Sequence, residues 1–385
     1  MMGLHFMNDI PFRDAHIHGM VRDFRGKKMS KSFGNVMDPL EMIDRYGADA
    51  LRMTLLRSST MGSDVPVAEK WIEGDRNFAN KLWNISRFVL MNIEGHAASD
   101  DRSLRATDMY WSRADRWILS RLDATVAAVD EAMEEYDLAR AAQLLRQFTR
   151  SEFADWYVEW SKGPLQSGAG EFKDATRVVL SHVLSTVLLL LHPIMPFITE
   201  ELYRALTGSP AITAPWPGTD PSLQDRDAET EMDFVMGVVS ALRRFRADHT
   251  IPHSARPDAK AEIEDPALAK ILQDELDRVR TLAGWGRFVV GAGNGGSAPA
   301  ARLVVPGAVI HVPLVELLDL DAERARLARE ILHQEQEAER ARAKLANHGF
   351  MTNAREEVIE QQRERLAQTE HALERFREAL RDLES

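Results

Sequence analysis

Lys28-Met29-Ser30-Lys31-Ser32, followed at once by Phe33-Gly34-Asn35, sets two ammonium groups on a short polar stretch beside a glycine. Lysines three positions apart can reach opposite sides of a pyrophosphate and stabilise the charge that develops as it leaves. That chemistry suits a triphosphate whose α-phosphate is under attack. An isolated pair of this spacing is more often a solvated basic turn, so the flanks decide the reading. Upstream stand Ile17-His18-Gly19-Met20-Val21-Arg22-Asp23 and Gly26-Lys27. Downstream come Gly34-Asn35-Val36, Asp38-Pro39 and Tyr46-Gly47-Ala48-Asp49-Ala50-Leu51-Arg52.

Outward from this stretch, the pattern predicts a strand over Ala15 to Val21, then the polar loop, then a short helix over Pro39 to Tyr46 stopped by Gly47. From Val67 to about Glu94, Ile72, Phe78, Leu82, Ile85, Val89 and Ile93 recur at a spacing that keeps them near one helical face. Similar patterns run over Ser112 to Met133, Leu138 to Trp160 and Phe172 to Leu191, so a helical bundle is expected. Pro193 and Pro196 end the last of these, because proline lacks the amide donor and restricts the residue before it. Helix resumes over Ile198 to Leu206 and again over Ala228 to Arg246.

The character then changes. Ala259 to Ile263, Arg287 to Val290 and Arg302 to Val312 read as strands around a helix over Pro266 to Leu282, a small α/β module. Gly291 to Gly296 reads as a hairpin connection and not a nucleotide loop, since no helix follows it. In the tail, Leu320, Leu327, Ile331, Ala338, Ala341 and Leu345 form one apolar seam, and Ile359, Leu366, Leu373 and Leu380 a seven-residue repeat. With a turn at Asn347-His348-Gly349, and Asn353 with Glu356 as a capping box, this is an antiparallel coiled-coil hairpin. Gln334, Gln362 and Thr369 on the seam weaken it.

The chain has 385 residues and 44% apolar content, ordinary for a globular chain of two or three domains. A net charge of −12 excludes a uniformly basic nucleic-acid binder, so any RNA contact must come from local patches such as Arg22, Arg25, Lys27, Lys28 and Lys31. Cysteine is absent, which removes disulfides and thiolate metal sites. No apolar run reaches the roughly eighteen residues of a membrane span, and the first residues lack the pattern of a signal peptide. A cytoplasmic location, no membrane and no structural metal are expected.

The order of motifs around Lys28 to Ser32 resembles the signature loop of class I aminoacyl-tRNA synthetases, most closely the valyl-tRNA synthetase family. Arg76-Asn77-Phe78-Ala79-Asn80-Lys81-Leu82-Trp83-Asn84 with Arg87-Phe88, then Asp155-Trp156-Tyr157, then Leu191-His192-Pro193-Ile194-Met195-Pro196-Phe197-Ile198-Thr199-Glu200-Glu201-Leu202 are similar to that family's anticodon-binding domain. The resemblance covers essentially the whole chain. It implies a mainly α fold in four parts: residues 1–66 as the end of a Rossmann-type catalytic domain bearing the lysine loop, 67–250 as a helical anticodon-binding bundle, 251–316 as a small α/β module and 317–385 as a coiled-coil tRNA-binding arm.

By the same resemblance, Lys31 contacts ATP and the transition state of adenylate formation, Lys28 is its catalytic companion, and Met29, Ser30 and Ser32 complete the ATP site, with Mg²⁺ travelling on the nucleotide. Unpaired bases are read by stacking on aromatic or guanidinium planes and by hydrogen bonds to their edges. Asn77, Asn80, Lys81, Trp83, Asn84 and Arg87 are therefore candidates for the anticodon loop. Core packing is the competing account for Phe78, Leu82 and Trp83 and is favoured for Trp83, whereas RNA contact is favoured for Lys81 and Arg87. Asp155 to Tyr157 and His192 to Glu201 read as structural. Arg342, Lys344 and Arg363, with Arg340, Arg355 and Arg365 beside them, are candidates for phosphate contact, against the alternative of salt-bridged solvated faces.

The His-Ile-His-Gly run at His16 to Gly19 is not the family's other signature, His-Ile-Gly-His, which needs glycine between the histidines. It reads as ordinary strand packing, one histidine inward. The signature, amino-acid pocket and editing insert are absent from these residues, which implies a C-terminal portion, inactive alone, of a monomeric enzyme whose N-terminal half could act in trans. Three positions depart from the family: Ser63 where arginine is frequent, Asn353-Ala354-Arg355 for Lys-Ala-Pro, and Phe33 for lysine or leucine. The complete enzyme would join valine to its tRNA. The alternatives are an isoleucyl- or leucyl-tRNA synthetase portion, or a non-catalytic tRNA-binding module.

Overall fold

The computed structural model describes residues 2–59, 62–93, 101–167, 170–291, 300–313, 320–346 and 356–384. Two compact units divide the chain, Met1–Thr230 and Glu231–Ser385.

The first unit opens with a parallel pair, β1 (Val21–Asp23) and β2 (Val65–Val67), in which Val21 faces Val65 and Asp23 faces Val67. The strand expected from Ala15 is thus only its last residue and two beyond. A strand needs a ladder partner, and β2 supplies one for three residues only. His16 and His18 are both exposed, not divided between core and loop, and His16 stacks on Tyr136 with ring centroids 5.6 Å apart. Gly19 is required where it stands, since a Cβ there would lie 1.8 Å from the carbonyl oxygen of Ser63.

Helices α1 (Pro39–Tyr46) and α2 (Ala48–Arg57) follow. The Asp38 carboxylate accepts from the Leu40 amide, and Pro39 takes the first helical position, where its missing donor costs nothing. Gly47 turns the chain between them at φ +88°. Met42, Ala50, Val65, Val67 and Ile72 pack together as a small core beneath β1 and β2.

The bundle comprises α3 (Glu69–Asn92), the short α4 (Asp101–Arg105), α5 (Arg113–Glu134), α6 (Leu138–Gln147), α7 (Val158–Ser167), α8 (Glu171–Leu191) and α9 (Pro196–Thr207). Helix α5 begins at a capping box between Ser112 and Asp115. Helices α6 and α7 are one run joined by a π-helical stretch over Phe148–Tyr157, which tucks Phe148, Phe153 and Tyr157 into the core. Helix α8 is long and apolar enough to span a membrane, against the expectation from sequence, but 72% of its most apolar window is buried inside the protein. It is the bundle's central helix, apolar all round because its neighbours surround it.

Helix α10 (Arg226–Asp248) carries the boundary between units. In the second unit, β3 (Ala259–Glu262), α11 (Pro266–Asp274), α12 (Leu276–Ala283), β4 (Phe288–Val290), β5 (Ala300–Val305) and β6 (Ala308–Pro313) build a sheet of order β4-β3-β6-β5. Strand β3 is parallel to β4 and antiparallel to β6. The strand expected over Arg302 to Val312 is a hairpin, β5 and β6, turned at Gly307 with φ +86°. The hairpin expected at Gly291 to Gly296 is absent, because β4 and β5 are opposite edges of the sheet and cannot pair; residues 292–296 themselves lie outside the described residues.

Helices α13 (Leu320–Ala346) and α14 (Glu356–Glu384) form the expected hairpin. Arg377 pairs with Glu335 and Arg342 with Glu370, an inverse order that makes the helices antiparallel. Leu327, Ala338, Ala341 and Leu373 are buried on the seam, while Ile331, Gln334, Leu345, Ile359, Gln362, Leu366, Thr369 and Leu380 are only half-buried. The turn at Asn347 to Gly349 and the cap at Asn353 lie outside the described residues.

Candidate functional site

The lysine loop is held by two side chains that spacing alone did not single out. Asp23, at the end of β1, accepts from the backbone amides of Arg25 and Lys27 at 3.0 and 2.8 Å, and Gly26 closes that turn at φ +74°. Its other oxygen accepts from the Asn35 amide at 2.9 Å. Asn35 in turn accepts from the Ser30 amide at 2.9 Å and donates to the Lys28 carbonyl at 3.3 Å. The Asn35 amide, with the Lys27 and Arg25 amides, holds the Asp23 carboxyl below its ordinary range, so the bracket is charged at neutral pH. An Asp–Asn pair thus spans the motif from both ends, and the Ser30 hydroxyl accepts from the Ser32 amide within a tight turn over Lys31–Phe33.

The cations around the loop divide by commitment. Arg22 pairs with Asp64, whose carboxyl is depressed by the Met20 amide and by Arg22 itself. Arg25 lies over the Phe24 ring, and the Lys27 ammonium sits 3.6 Å from the centroid of Phe33. The aromatic departure at Phe33 therefore occupies Lys27 by a cation–π contact. Lys28 is exposed, and its ammonium has no partner among the described residues. Met29 is half-buried and Ser32 exposed. The Lys31 side chain lies outside the described residues.

On α3, burial alternates with exposure as an amphipathic helix requires. Phe78, Leu82, Ile85 and Val89 face inward. Asn77, Asn80, Asn84 and Arg87 face outward along one stripe, and none makes a hydrogen bond or ion pair with a described residue. Trp83 is 46% exposed beside them, so the core packing favoured from sequence is wrong for it. The heptad face is set by Leu82 and Ile85, and Trp83 falls outside it. Lys81 also departs from its expected freedom: its ammonium is 2.5 Å from the carboxylate of Asp155, on the π-helical stretch. The signal was in the sequence only as two charges 74 positions apart.

The inner side of α3 carries a buried charge cluster. Asp75 is fully buried, accepts from the Thr54 hydroxyl at 2.7 Å, and lies 3.3 Å from Arg57 and 3.4 Å from Arg146. Three helices, α2, α3 and α6, meet at this carboxylate. The two motifs Tyr46 to Arg52 and His192 to Glu201 prove to be partners in packing. Asp49 accepts from the Ile198 and Phe197 amides at the start of α9, and Arg52 donates to the Ile194 and Pro193 carbonyls at 2.9 and 2.8 Å. Burial pushes the Asp49 carboxyl up despite those amides. Tyr157 donates to Asp115 at 2.5 Å in the core.

On the arm, the phosphate candidates are engaged with carboxylates. Arg342 pairs with Glu370 and Arg365 with Glu337 across the two helices, whereas Arg363 pairs with Glu360 and Arg340 with Glu337 within one. Lys344 also has a partner. Arg355 lies outside the described residues. These pairs are solvent-exposed, so each is worth at most about 1 kcal/mol and a stronger anion can exchange for the carboxylate.

Three families match in chain order. Residues 1–68 match class I tRNA synthetases (I, L, M and V), 115–263 the anticodon-binding domain of tRNA ligase, and 319–384 the valyl tRNA synthetase tRNA binding arm. The chain is 41% identical over 388 residues to a valine–tRNA ligase of Streptomyces coelicolor, and 41% identical over 372 residues to one of Geobacter sulfurreducens. These alignments cover 100% and 96% of this chain and 42% of each relative. The chain thus spans about two fifths of the length of the relatives it matches. A LeuRS–tRNA–LeuAMS ternary complex from Agrobacterium radiobacter K84 superposes on 58% of this chain and 26% of its own, with a TM-score of 0.47 and 25% identity. With its three segments in order and its relatedness end to end, the chain is the counterpart of the C-terminal portion of valyl-tRNA synthetases.

Proposed function

We propose that this chain supplies the ATP-loop and tRNA-binding parts of a cytoplasmic valine–tRNA ligase, which activates valine with ATP and transfers it to the tRNA for valine. The observation that carries this reading is the 41% identity to valine–tRNA ligases over the whole chain. In the proposed reaction a valine carboxylate oxygen bonds to the α-phosphorus of ATP, the bond to the β-phosphate oxygen breaks, and pyrophosphate departs with the electron pair. A hydroxyl at the tRNA terminus then displaces AMP from the valyl carbonyl. Lys28 and Lys31 stabilise the pyrophosphate charge, Met29, Ser30 and Ser32 shape the loop, and Asp23 with Asn35 fix its backbone. Magnesium would travel with ATP.

The proposed labour divides in four: 1–66 holds the nucleotide, 67–250 reads the anticodon arm, 251–316 is the α/β module and 317–385 the arm. On α3, Trp83 and Arg87 offer stacking planes and Asn77, Asn80 and Asn84 offer amides to base edges. Lys81 acts through its pairing with Asp155, and Arg342, Lys344 and Arg363 exchange carboxylate partners for backbone phosphate.

Two measurements test the reading. Purified chain alone is expected to give no valine-dependent pyrophosphate exchange, since the family resemblance places the amino-acid pocket outside these residues; exchange above background that is lost in Lys31→Ala overturns that part. The chain should bind tRNA for valine with an affinity that falls as salt rises, at a log–log slope of roughly 0.7–0.9 per phosphate neutralised. Binding indifferent to salt, or equal for unrelated tRNAs, counts against the tRNA assignment.

A further inference from the structure

In the second unit, an open cavity of about 790 Å³ lies between the end of α10 and the end of α12. Its charged lining is basic: Arg243, Arg246 and Arg256, with His253 beside them and the hydroxyls of Thr250 and Thr281. Arg246 is 9% exposed and donates only to carbonyls, those of Pro252 at 2.6 Å, Gly284 at 2.7 Å and Ala255 at 3.0 Å. Arg256 is exposed and donates to the His253 carbonyl at 3.0 Å and, at 3.4 Å, to the same Gly284 oxygen. No carboxylate pairs with either guanidinium among the described residues.

Two guanidinium groups therefore converge on one neutral acceptor, which gathers positive charge at the mouth of the cavity. A structural role, tying three carbonyls together, accounts for the burial of Arg246, whereas Arg256 is exposed and ties only two, one of them at 3.4 Å. Burial and the neighbouring Arg256 both depress Arg246, the direction expected where positive charge is uncompensated. Thr250 lines the same cavity at φ +51°, the left-handed position that stops α10, where the Ile251 amide returns to the Arg246 carbonyl at 2.9 Å.

We propose that this cavity is a phosphate site, with Arg256 and Arg246 as its paired donors and the Thr250 hydroxyl as a neutral one; the Thr281 hydroxyl is spent on the Asp277 carbonyl at 2.8 Å. A guanidinium pair suits a phosphate group because its planar forks offer several parallel N–H donors to the phosphate oxygens. The source of the phosphate is an RNA backbone, which rests on the tRNA reading above; the alternative source is free phosphate or a mononucleotide.

The experiment uses the full chain and two probes, inorganic phosphate and tRNA for valine. Phosphate should raise the melting temperature of the wild-type chain, and chloride at equal ionic strength should not. Arg256→Ala should abolish that rise, weaken tRNA binding about tenfold, and lower the salt slope by about 0.7–0.9, one phosphate contact. Arg256→Lys, which keeps the charge, should retain part of each effect, and an unchanged circular dichroism spectrum shows that the variants fold. If phosphate stabilises the wild type through Arg256 but tRNA does not bind, the site stands with free phosphate or a mononucleotide as its ligand and the tRNA reading falls. Equal phosphate response and equal tRNA slope in wild type and Arg256→Ala overturn the site while leaving the tRNA reading intact.

Discussion

Helix α3 and the arm carry similar residue types and dispose of them in opposite ways. On α3 the outward amides of Asn77, Asn80 and Asn84 and the guanidinium of Arg87 are uncommitted, and the helix is held from behind by Phe78, Leu82 and the buried Asp75. On the arm every described candidate has a partner, while the seam buries few residues fully. Rigid backing with free groups suits discrimination between bases, because the groups are prepositioned and the site need not rearrange. A thin seam with exchangeable ion pairs suits attachment to a charged backbone, where position matters less than charge.

Removing the backing of α3 should have the largest effect. Asp75→Ala leaves Arg57 and Arg146 without their shared carboxylate in the interior. Because both arginines retain about a quarter of their side-chain exposure, the expected cost is near the low end for breaking a buried pair, about 3 kcal/mol. Denaturant unfolding followed by tryptophan fluorescence reads it, since seven of the eight tryptophans precede Glu231. A loss below about 1 kcal/mol would mean that α3 is not held by this cluster.

A smaller effect tests the division of labour directly. Trp83→Ala and Arg87→Ala should each shift the preference between cognate and anticodon-mutated tRNA by about 1–3 kcal/mol, the scale of losing a base-stacking plane. Arg342→Ala and Arg363→Ala should weaken both tRNAs alike. Affinities of all four variants for both tRNAs in one buffer decide the matter. An arm variant that changes the anticodon preference, with Trp83 and Arg87 neutral, reverses the roles.

The smallest effect sharpens the claim that arm pairs are real but exchangeable. Glu337 is held below the ordinary glutamate value, first by Arg340 and then by Arg365. A depressed folded value means that its stabilisation is fully present above the ordinary glutamate range and is lost as pH falls through the folded value. Carbon-detected NMR titration of Glu337 should show that depression, and Arg340→Ala should move the titration upward toward the ordinary value. An unchanged titration would mean that the pairing does not persist in solution.

The order of elements, the bundle, the α/β module and the coiled-coil hairpin were all legible in the sequence, because periodicity and punctuation are local. Ile72 to Ile93 announce a helix through their own spacing, and Pro193 and Pro196 break one wherever the rest of the chain lies. The lysine loop was legible too, since its residues are contiguous. The small sheet was misread for a physical reason: which strands pair is a long-range choice, so the hairpin was assigned to Gly291 to Gly296 when the turn lies at Gly307 between β5 and β6.

That cations crowd the loop, α3 and the arm, with aromatics beside them on the loop and α3, is written in the sequence, but which of these groups are free is settled by packing. Lys28 and Arg87 keep their charges available, whereas Lys27 is taken by Phe33, Lys81 by Asp155 and Arg342 by Glu370. Trp83 is exposed by the phase of its helix against the bundle, a rotation that one apolar stripe on α3 leaves open to a neighbouring residue. Charge is a property of composition, but the availability of a charge is set by its nearest neighbours in space, and for a side chain such as Arg256 those neighbours come from segments nearly thirty residues apart.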